Sequence, residues 1–244
     1  MKKFGLIIAM MLLTLGNVAQ GQNIQLLYDL GHTLYGDLSG RPNITSTIEM
    51  FKPDKWGSTF FFSDINYYTD GAAGVYWEIA RKFTVYKQWA AQIEYNGGAT
   101  TIEHTAVGNR FQHALLLGPS WNWVSADGQR NLSLSALYKQ YFKGFGRDAY
   151  SSFQGTVVWG LNFSQGLLTF SGFFDVWYDK EVKGNFIILS QPQFWVNLNT
   201  LKGMDGVNLS LGTELEFSNN FVFNNKGEND KFYLIPSLAA KWTF

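Results

Sequence analysis

The stretch Val207–Asn208–Leu209–Ser210–Leu211–Gly212–Thr213–Glu214–Leu215–Glu216–Phe217–Ser218 decides the fold. Its odd positions hold Val, Leu, Leu, Thr, Leu and Phe, and its even positions hold Asn, Ser, Gly, Glu, Glu and Ser. Successive side chains on a strand point to opposite faces, so a period of two gives one apolar and one polar face. A helix would gather its apolar residues at a period of 3.6 instead. The stretch is also long, because strands in soluble sheets usually run about five or six residues.

The same pattern recurs on either side. Leu132, Leu134, Ala136 and Tyr138 alternate with Ser133, Ser135, Leu137 and Lys139. Phe153, Gly155, Val157, Trp159 and Leu161 alternate with Ser152, Gln154, Thr156, Val158 and Gly160. Segments of this kind fall at 23–33, 43–52, 57–68, 73–83, 89–97, 111–123, 131–142, 150–163, 167–178, 186–198, 207–218 and 231–244. Connections after even segments are tight: Lys52–Pro53–Asp54–Lys55, Ser125–Ala126–Asp127–Gly128 and Ser164–Gln165–Gly166. Those after odd segments include the longest: Tyr35–Pro42, Gly98–Arg110 and Asn219–Asp230.

Tilted strands that cross a bilayer need about 9–11 residues. Aromatics gather at segment ends, as in Trp121/Trp123, Phe163, Trp177/Tyr178 and Trp242/Phe244, where interfacial girdles place them. The last segment carries Phe232, Leu234, Pro236, Leu238, Ala240, Trp242 and Phe244 on one face. A terminal aromatic closing an alternating strand resembles the assembly signal of bacterial outer-membrane barrels, and this assigns Trp242 and Phe244 to the lipid-facing register. The expectation is an all-β chain, a transmembrane antiparallel up-and-down β-barrel of twelve strands. Ten or fourteen strands are the neighbouring counts, and a soluble β sandwich is the competing architecture. Closure leaves no sheet edge unsatisfied in lipid.

The first residues read as an address. Met1–Lys2–Lys3 is basic, Phe4 to Gly16 is almost wholly apolar, and Ala19–Gln20–Gly21 supplies small residues for cleavage. That layout predicts a signal peptide at 1–21 and a barrel domain at 22–244, placing the protein in the outer membrane of a Gram-negative bacterium. An uncleaved anchor is the alternative, although the apolar core is short for a membrane span.

Composition excludes several classes. Lys and Arg total 19, Asp and Glu total 19, and only 16 % of residues are charged, so no basic surface is available to hold a nucleic-acid polymer. Zero cysteine removes disulfides, thiolate metal sites and a thiol nucleophile. The aromatic share, 17 % of 244 residues, speaks against disorder.

If the apolar phase faces lipid, the opposite phase lines the interior. It carries Asp29, Glu49, Phe60, Phe62, Asp64, Asn66, Tyr76, Glu78, Gln92, Glu94 and Asn96. It continues with Lys139, Tyr141, Gln154, Asp175, Trp177, Gln191, Gln193, Trp195, Glu214, Glu216 and Lys241. Carboxylate rings favour cations, and aromatics with amides suit a base or sugar. Eight carboxylates (Asp29, Glu49, Asp64, Glu78, Glu94, Asp175, Glu214, Glu216) face two lysines, an expected excess of six negative charges. The competing reading is that a small barrel fills its interior with paired charged side chains for rigidity. Lys241, on the adjacent last strand, is the expected partner of Glu214 and Glu216.

Ile48–Glu49–Met50–Phe51–Lys52–Pro53–Asp54–Lys55–Trp56–Gly57–Ser58–Thr59–Phe60–Phe61–Phe62, Trp77–Glu78–Ile79–Ala80–Arg81 and Glu94–Tyr95–Asn96–Gly97–Gly98 have a familiar composition. So do Phe170–Ser171–Gly172–Phe173 and the ending Ala240–Lys241–Trp242–Thr243–Phe244. Together they resemble an outer-membrane β-barrel family described as a domain of unknown function, itself similar to the Tsx-like nucleoside-specific channel-forming proteins. The resemblance implies a monomeric twelve-stranded barrel with a narrow, selective lumen.

Three further signals carry no function. Gly144–Phe145–Gly146–Arg147–Asp148–Ala149 matches a dinucleotide fingerprint on paper, but a β segment follows it where a helix is required. His32, His104 and His113 lack metal-ligand spacing. The sequons at Asn43, Asn131, Asn162 and Asn208 follow from polar residues recurring at every second position. The expected function is diffusion of small hydrophilic solutes, with nucleosides as one candidate and no cofactor, metal or catalytic residue. Expected partners are outer-membrane lipid, the barrel-assembly machinery and the solute. The alternatives are a non-conducting structural, adhesive or receptor barrel, and a lipid-modifying barrel enzyme with a His113 rim site.

Overall fold

The computed structural model describes residues 21–101 and 108–244. Its strands are β1 (Gln22–Asp29), β2 (Ile44–Asp54), β3 (Gly57–Tyr68), β4 (Gly71–Tyr86), β5 (Trp89–Thr101), β6 (Gly108–Val124) and β7 (Arg130–Tyr141). They continue as β8 (Tyr150–Phe163), β9 (Leu168–Tyr178), β10 (Phe186–Ser190), β11 (Gln193–Asn197), β12 (Leu209–Asn219) and β13 (Phe232–Thr243). All pairings are antiparallel and, with β10 and β11 counted as one stave, join chain neighbours, apart from the one that closes the sheet: Asn23 on β1 lies opposite Thr243 on β13, and Asp29 lies opposite Ser237.

β10 and β11 are two halves of one stave. Leu189 faces Asp175 and Gln193 faces Ser171 on β9; Leu189 faces Ser218 and Gln193 faces Glu214 on β12. Each step is four residues on both partners, so no register is lost. The interruption is Pro192, which has no N–H to give the ladder. The flanking bonds persist, with Gln191 N donating to Phe173 O at 3.1 Å and Leu215 N donating to Pro192 O at 2.9 Å. The barrel therefore has twelve staves, the tenth interrupted at its proline.

Large apolar side chains stand exposed on the outer surface, among them Leu26, Ile48, Ile79, Leu117, Leu134 and Leu238. Apolar area left in water costs roughly 25 cal/mol per Å², and a continuous belt of it far exceeds what soluble monomers expose. Hydrocarbon removes that penalty. None of the described helices is long and apolar enough to cross a membrane, and the strands do so instead.

Three boundaries differ from the sequence reading. The first strand stops at Asp29, because Asp29 Oδ1 accepts the Gly31 N–H at 2.6 Å and turns the chain into a short helix α1 (Gly31–Leu34). A Cβ at Gly31 would stand 2.8 Å from that oxygen and 3.1 Å from Ile235, so this turn requires glycine. The segment predicted at 186–198 is split by Pro192. The Gly98–Arg110 connection is shorter than expected, since β5 runs on to Thr101 and β6 begins at Gly108 after a register shift between Asn96 and Gly98. Glu103 and His104 lie outside the described residues, as does the predicted signal segment apart from Gly21.

The two ends of the barrel differ. At the end carrying Gln22 and Thr243, connections span 55–56, 87–88, 125–129, 164–167 and 198–208. At the other end they include 30–43, 142–149, 179–185 and 220–231.

Candidate functional site

Cross-strand pairs share a face, so the register fixes what lines the interior. Asp64 lies opposite Thr47 and Tyr76, and Phe62 lies opposite Glu49 and Glu78. Gln193 lies opposite Glu214, and Asp175 lies opposite Thr156. Every interior candidate named from the sequence falls on this inner face. Three levels can be distinguished.

The upper level is narrowed by the 30–43 connection, which folds into the mouth. Leu38 is buried with Val222, Tyr233 and Ile235, and Tyr35 packs against them. Asp37 Oδ2 accepts from Lys231 Nζ at 2.6 Å and from the Tyr233 hydroxyl at 3.0 Å. Asn225 Nδ2 donates to Ser39 Oγ at 2.8 Å, and Asn225 Oδ1 accepts from Gly40 N at 3.2 Å. Arg41 reaches deepest. Its Nε donates to Asp29 Oδ2 at 2.9 Å and its Nη2 to Glu216 Oε2 at 3.0 Å. Burial opposes the Arg41 charge, but Glu216 and Asp29 outweigh it and hold the guanidinium above its ordinary pKa. The hydrogen bonds from Lys231 and then Tyr233 hold Asp37 below the usual carboxylate range.

The middle level contains two polar groups of side chains. In one, Tyr76 donates to Glu78 at 2.5 Å, Gln92 donates to Glu94 at 2.9 Å, and Lys139 donates to Gln154 at 2.9 Å. Lys139 Nζ also lies 5.1 Å from the Tyr141 ring and 5.0 Å from the Trp177 ring, a cation–π arrangement. Asp175 faces the same interior from β9, four staves from Glu94. In the other group, Gln193 Nε2 donates to Glu214 at 2.7 Å and Asn23 donates to Glu49 at 3.0 Å. Trp195 is fully buried, its Nε1 donating to Gln193 Oε1 at 3.1 Å and its ring lying 4.3 Å from Lys241 Nζ. Gly212 makes room for that indole, because a Cβ there would come within 2.7 Å of it.

Lys241 is thus not the partner of Glu214 and Glu216. On β13 those residues face Ser237 and Ile235, whereas Lys241 faces Ser210, two inward positions from Glu214 and three from Glu216 toward the termini. Arg41 satisfies Glu216 instead. Lys82 is a second addition, since its Nζ donates to Asn122 at 2.9 Å and Ser133 at 2.6 Å inside the barrel. With Arg41 and Lys82 joining Lys139 and Lys241, four cations stand against the eight carboxylates, and the excess falls from six to four.

The lower level is open. Val158 lies opposite the interior residues Ser133 and Phe173, yet it is 39 % exposed, so water reaches it from within. Phe60 and Phe62 stack along the same wall, 5.9 Å apart, with Tyr76 a further 6.0 Å above. At the termini end is a cavity of about 340 Å³ lined by Asn162, Gly166, Asn197, Asn199, Thr200, Asn208, Ser210, Thr243 and Phe244. Trp242 faces outward and is 40 % exposed, and Phe244, past the last strand residue, donates its N–H to Gln22 O at 3.0 Å and borders this cavity. Trp177 points inward from its strand end, so it belongs to the interior and not to a girdle.

His113 points outward, its Nδ1 sharing a 2.6 Å hydrogen bond with the Tyr95 hydroxyl, with Phe142 stacked 5.0 Å away. No serine is among its partners. No group of three or more His, Asp or Glu among the described residues is arranged to hold a metal.

A closed sheet of twelve staves, apolar outside and polar inside, defines a transmembrane β-barrel of the outer-membrane type. The chain belongs to the family described as Domain of unknown function (DUF5020), which matches residues 21–244. It is similar in fold to the NanC porin, at 10 % identity and a TM-score of 0.54, covering 91 % of this chain and 98 % of that one. LpxR from Salmonella typhimurium aligns at 8 % identity and a TM-score of 0.48, over 92 % and 100 % of the two chains. Omp33 of Acinetobacter baumannii aligns at 12 % identity and 0.39, over 92 % and 98 %. No curated protein matches the chain in sequence.

Proposed function

We propose that the protein is a channel for passive diffusion of small hydrophilic solutes across the outer membrane. In this reading residues 1–21 are removed on export, the barrel-assembly machinery inserts the chain, and no residue is catalytic. The observation that carries it is Val158, which faces inward and is nonetheless wetted. A barrel packed solid would have buried it. The carboxylate excess supports preference for cationic and neutral solutes over anions, since low-dielectric walls focus the field of fixed charges. The ladder Phe60–Phe62–Tyr76 beside Glu49, Asp64 and Glu78 supports nucleosides as substrates, with rings to stack on a base and carboxylates to accept from sugar hydroxyls.

Swelling of liposomes containing the purified protein tests this. Nucleosides are expected to enter faster than nucleotides. Absence of uptake for every small solute would reject the channel. That outcome would favour a non-conducting receptor or adhesive barrel, a reading supported by the 30–43 connection packed into one mouth.

A further inference from the structure

The cavity at the termini end has a wall unlike the rest of the interior. Above it stand carboxylates, lysines and an arginine. The cavity itself is lined by four asparagines, two threonines, a serine, a glycine and Phe244, with no charged side chain. Its volume, about 340 Å³, lies at the small end of the range for ligand sites.

Part of this wall is rigid. Asn197 Nδ2 donates to Gly166 O at 2.7 Å and to Thr169 Oγ1 at 2.9 Å, while its Oδ1 accepts from Ser210 Oγ at 2.7 Å. Thr169 Oγ1 in turn donates to Asn162 Oδ1 at 2.8 Å. Asn197 is therefore spent on structure, and it fixes its neighbours. The other part is free. Asn162 keeps its Nδ2, and the side chains of Asn199, Asn208 and Thr243 make no hydrogen bond among the described residues. An amide offers two donors and an acceptor, and a hydroxyl offers one donor and two acceptors. Such a rim matches a solute that itself donates and accepts at every position.

The connection that supplies Asn199, Thr200 and Asn208 is also out of place by length. The other described connections at this end run from two to five residues, but 198–208 runs to eleven. Thr243 N donates to Asn208 O at 3.0 Å, tying this connection to the last strand across the cavity.

We infer that this vestibule is a binding subsite for a neutral polyhydroxylated solute, a single sugar unit, held by Asn162, Asn199, Asn208 and Thr243. A charged sugar would have to bring its charge into a pocket with no side chain to neutralise it, so neutral sugars are selected over uronic acids and amino sugars of equal size. The inference adds a sugar subsite at the termini end of the proposed channel and rests on that reading, but binding and conduction are separately measurable.

The experiment uses the full barrel in detergent and in planar bilayers, with glucose, glucuronate and glucosamine as probes. Glucose is expected to bind by titration calorimetry and to interrupt the ionic current in proportion to its concentration, with both charged probes weaker. Asn199→Ala with Asn208→Ala, changes confined to a connection, is expected to weaken glucose binding about tenfold and leave the salt conductance unchanged. Salt conductance without glucose binding, or equal binding of all three sugars, would overturn the subsite. Glucose binding without conductance would uphold it and overturn the channel.

Discussion

Replacing Arg41 by alanine probes the narrowed mouth most directly. The side chain makes two charge-assisted hydrogen bonds, 2.9 Å to Asp29 and 3.0 Å to Glu216, from a connection outside the strands. Each such bond contributes about 1.5–3 kcal/mol. Removing one partner of a buried ion pair costs about 3–5 kcal/mol because the remaining charges stay desolvated. The Arg41 side chain is 24 % exposed, so the lower end, about 3 kcal/mol, is appropriate. That shifts the docking equilibrium of the 30–43 connection roughly 150-fold toward the undocked form. Burial of Leu38, about 1.5–3 kcal/mol, and the Asp37 contacts remain and oppose release. The single variant should therefore loosen the connection, and Arg41→Ala with Leu38→Ala should free it. In bilayers the expected signature is a rise in single-channel conductance from wild type to single to double variant. Cation preference should strengthen as well, because the interior excess goes from four to five negative charges. Conductance and reversal potential identical to wild type, in a protein whose gel migration still changes on heating, would refute the idea that this connection narrows the path.

Docking should also depend on pH at the extremes. Asp37 is held below its ordinary pKa, so its contribution is complete above the ordinary carboxylate range and is lost as pH falls through the lowered value. Lys231 is held above its ordinary value by its hydrogen bond to Asp37, so its contribution is lost only as pH rises through that raised value. The docked fraction of the connection, read as the mobility of a nitroxide attached at Ser39→Cys, should be flat from about pH 4 to about pH 10 and fall outside it; release near neutrality would contradict the assignment. Glu214→Gln should reduce cation preference in a salt gradient without releasing the mouth, since Glu214 accepts from Gln193 and pairs with no cation among the described residues. Anion selectivity in the wild-type protein would show that the interior field has the opposite sign. Deleting Phe244 is expected to lower the yield of folded protein in outer-membrane fractions severalfold, and normal insertion would leave its role to the cavity alone.

Period-two alternation made the barrel legible because each residue has only two orientations, and lipid outside with water inside reads both. It assigned faces across β12 and β13 directly, and it held through Pro192 because a missing N–H removes one bond without moving the neighbours. Lys82 was legible by the same rule, continuing the inward row Tyr76–Glu78–Ala80. Arg41 was not. It belongs to a connection, where no period fixes side-chain direction, and only folding of the chain back into the mouth brings it to Asp29 and Glu216. The vestibule was hidden for the same reason, since Asn199 and Asn208 become neighbours only through the turn between them. Pairing across strands was also beyond reach, because alternation gives the face but not the stagger, and the stagger decides whether Lys241 meets Glu216 or Trp195.

The pairing of β1 with β13 has a kinetic meaning. Asn23 and Thr243 are separated by 243 − 23 = 220 positions, the largest sequence separation of any pairing in the sheet. Hairpins such as β2–β3 and β4–β5 bring together neighbours only a few residues apart at their turns, so they can form locally and early. The seam can close only after the intervening strands are in place, and until then both margins of the growing sheet carry unpaired N–H and C=O groups that invite pairing with other chains. Time spent in that half-built form, more than the stability of the finished barrel, sets how much chain is lost to aggregation. Substitutions along the seam should therefore be felt first in yield and only later in melting temperature.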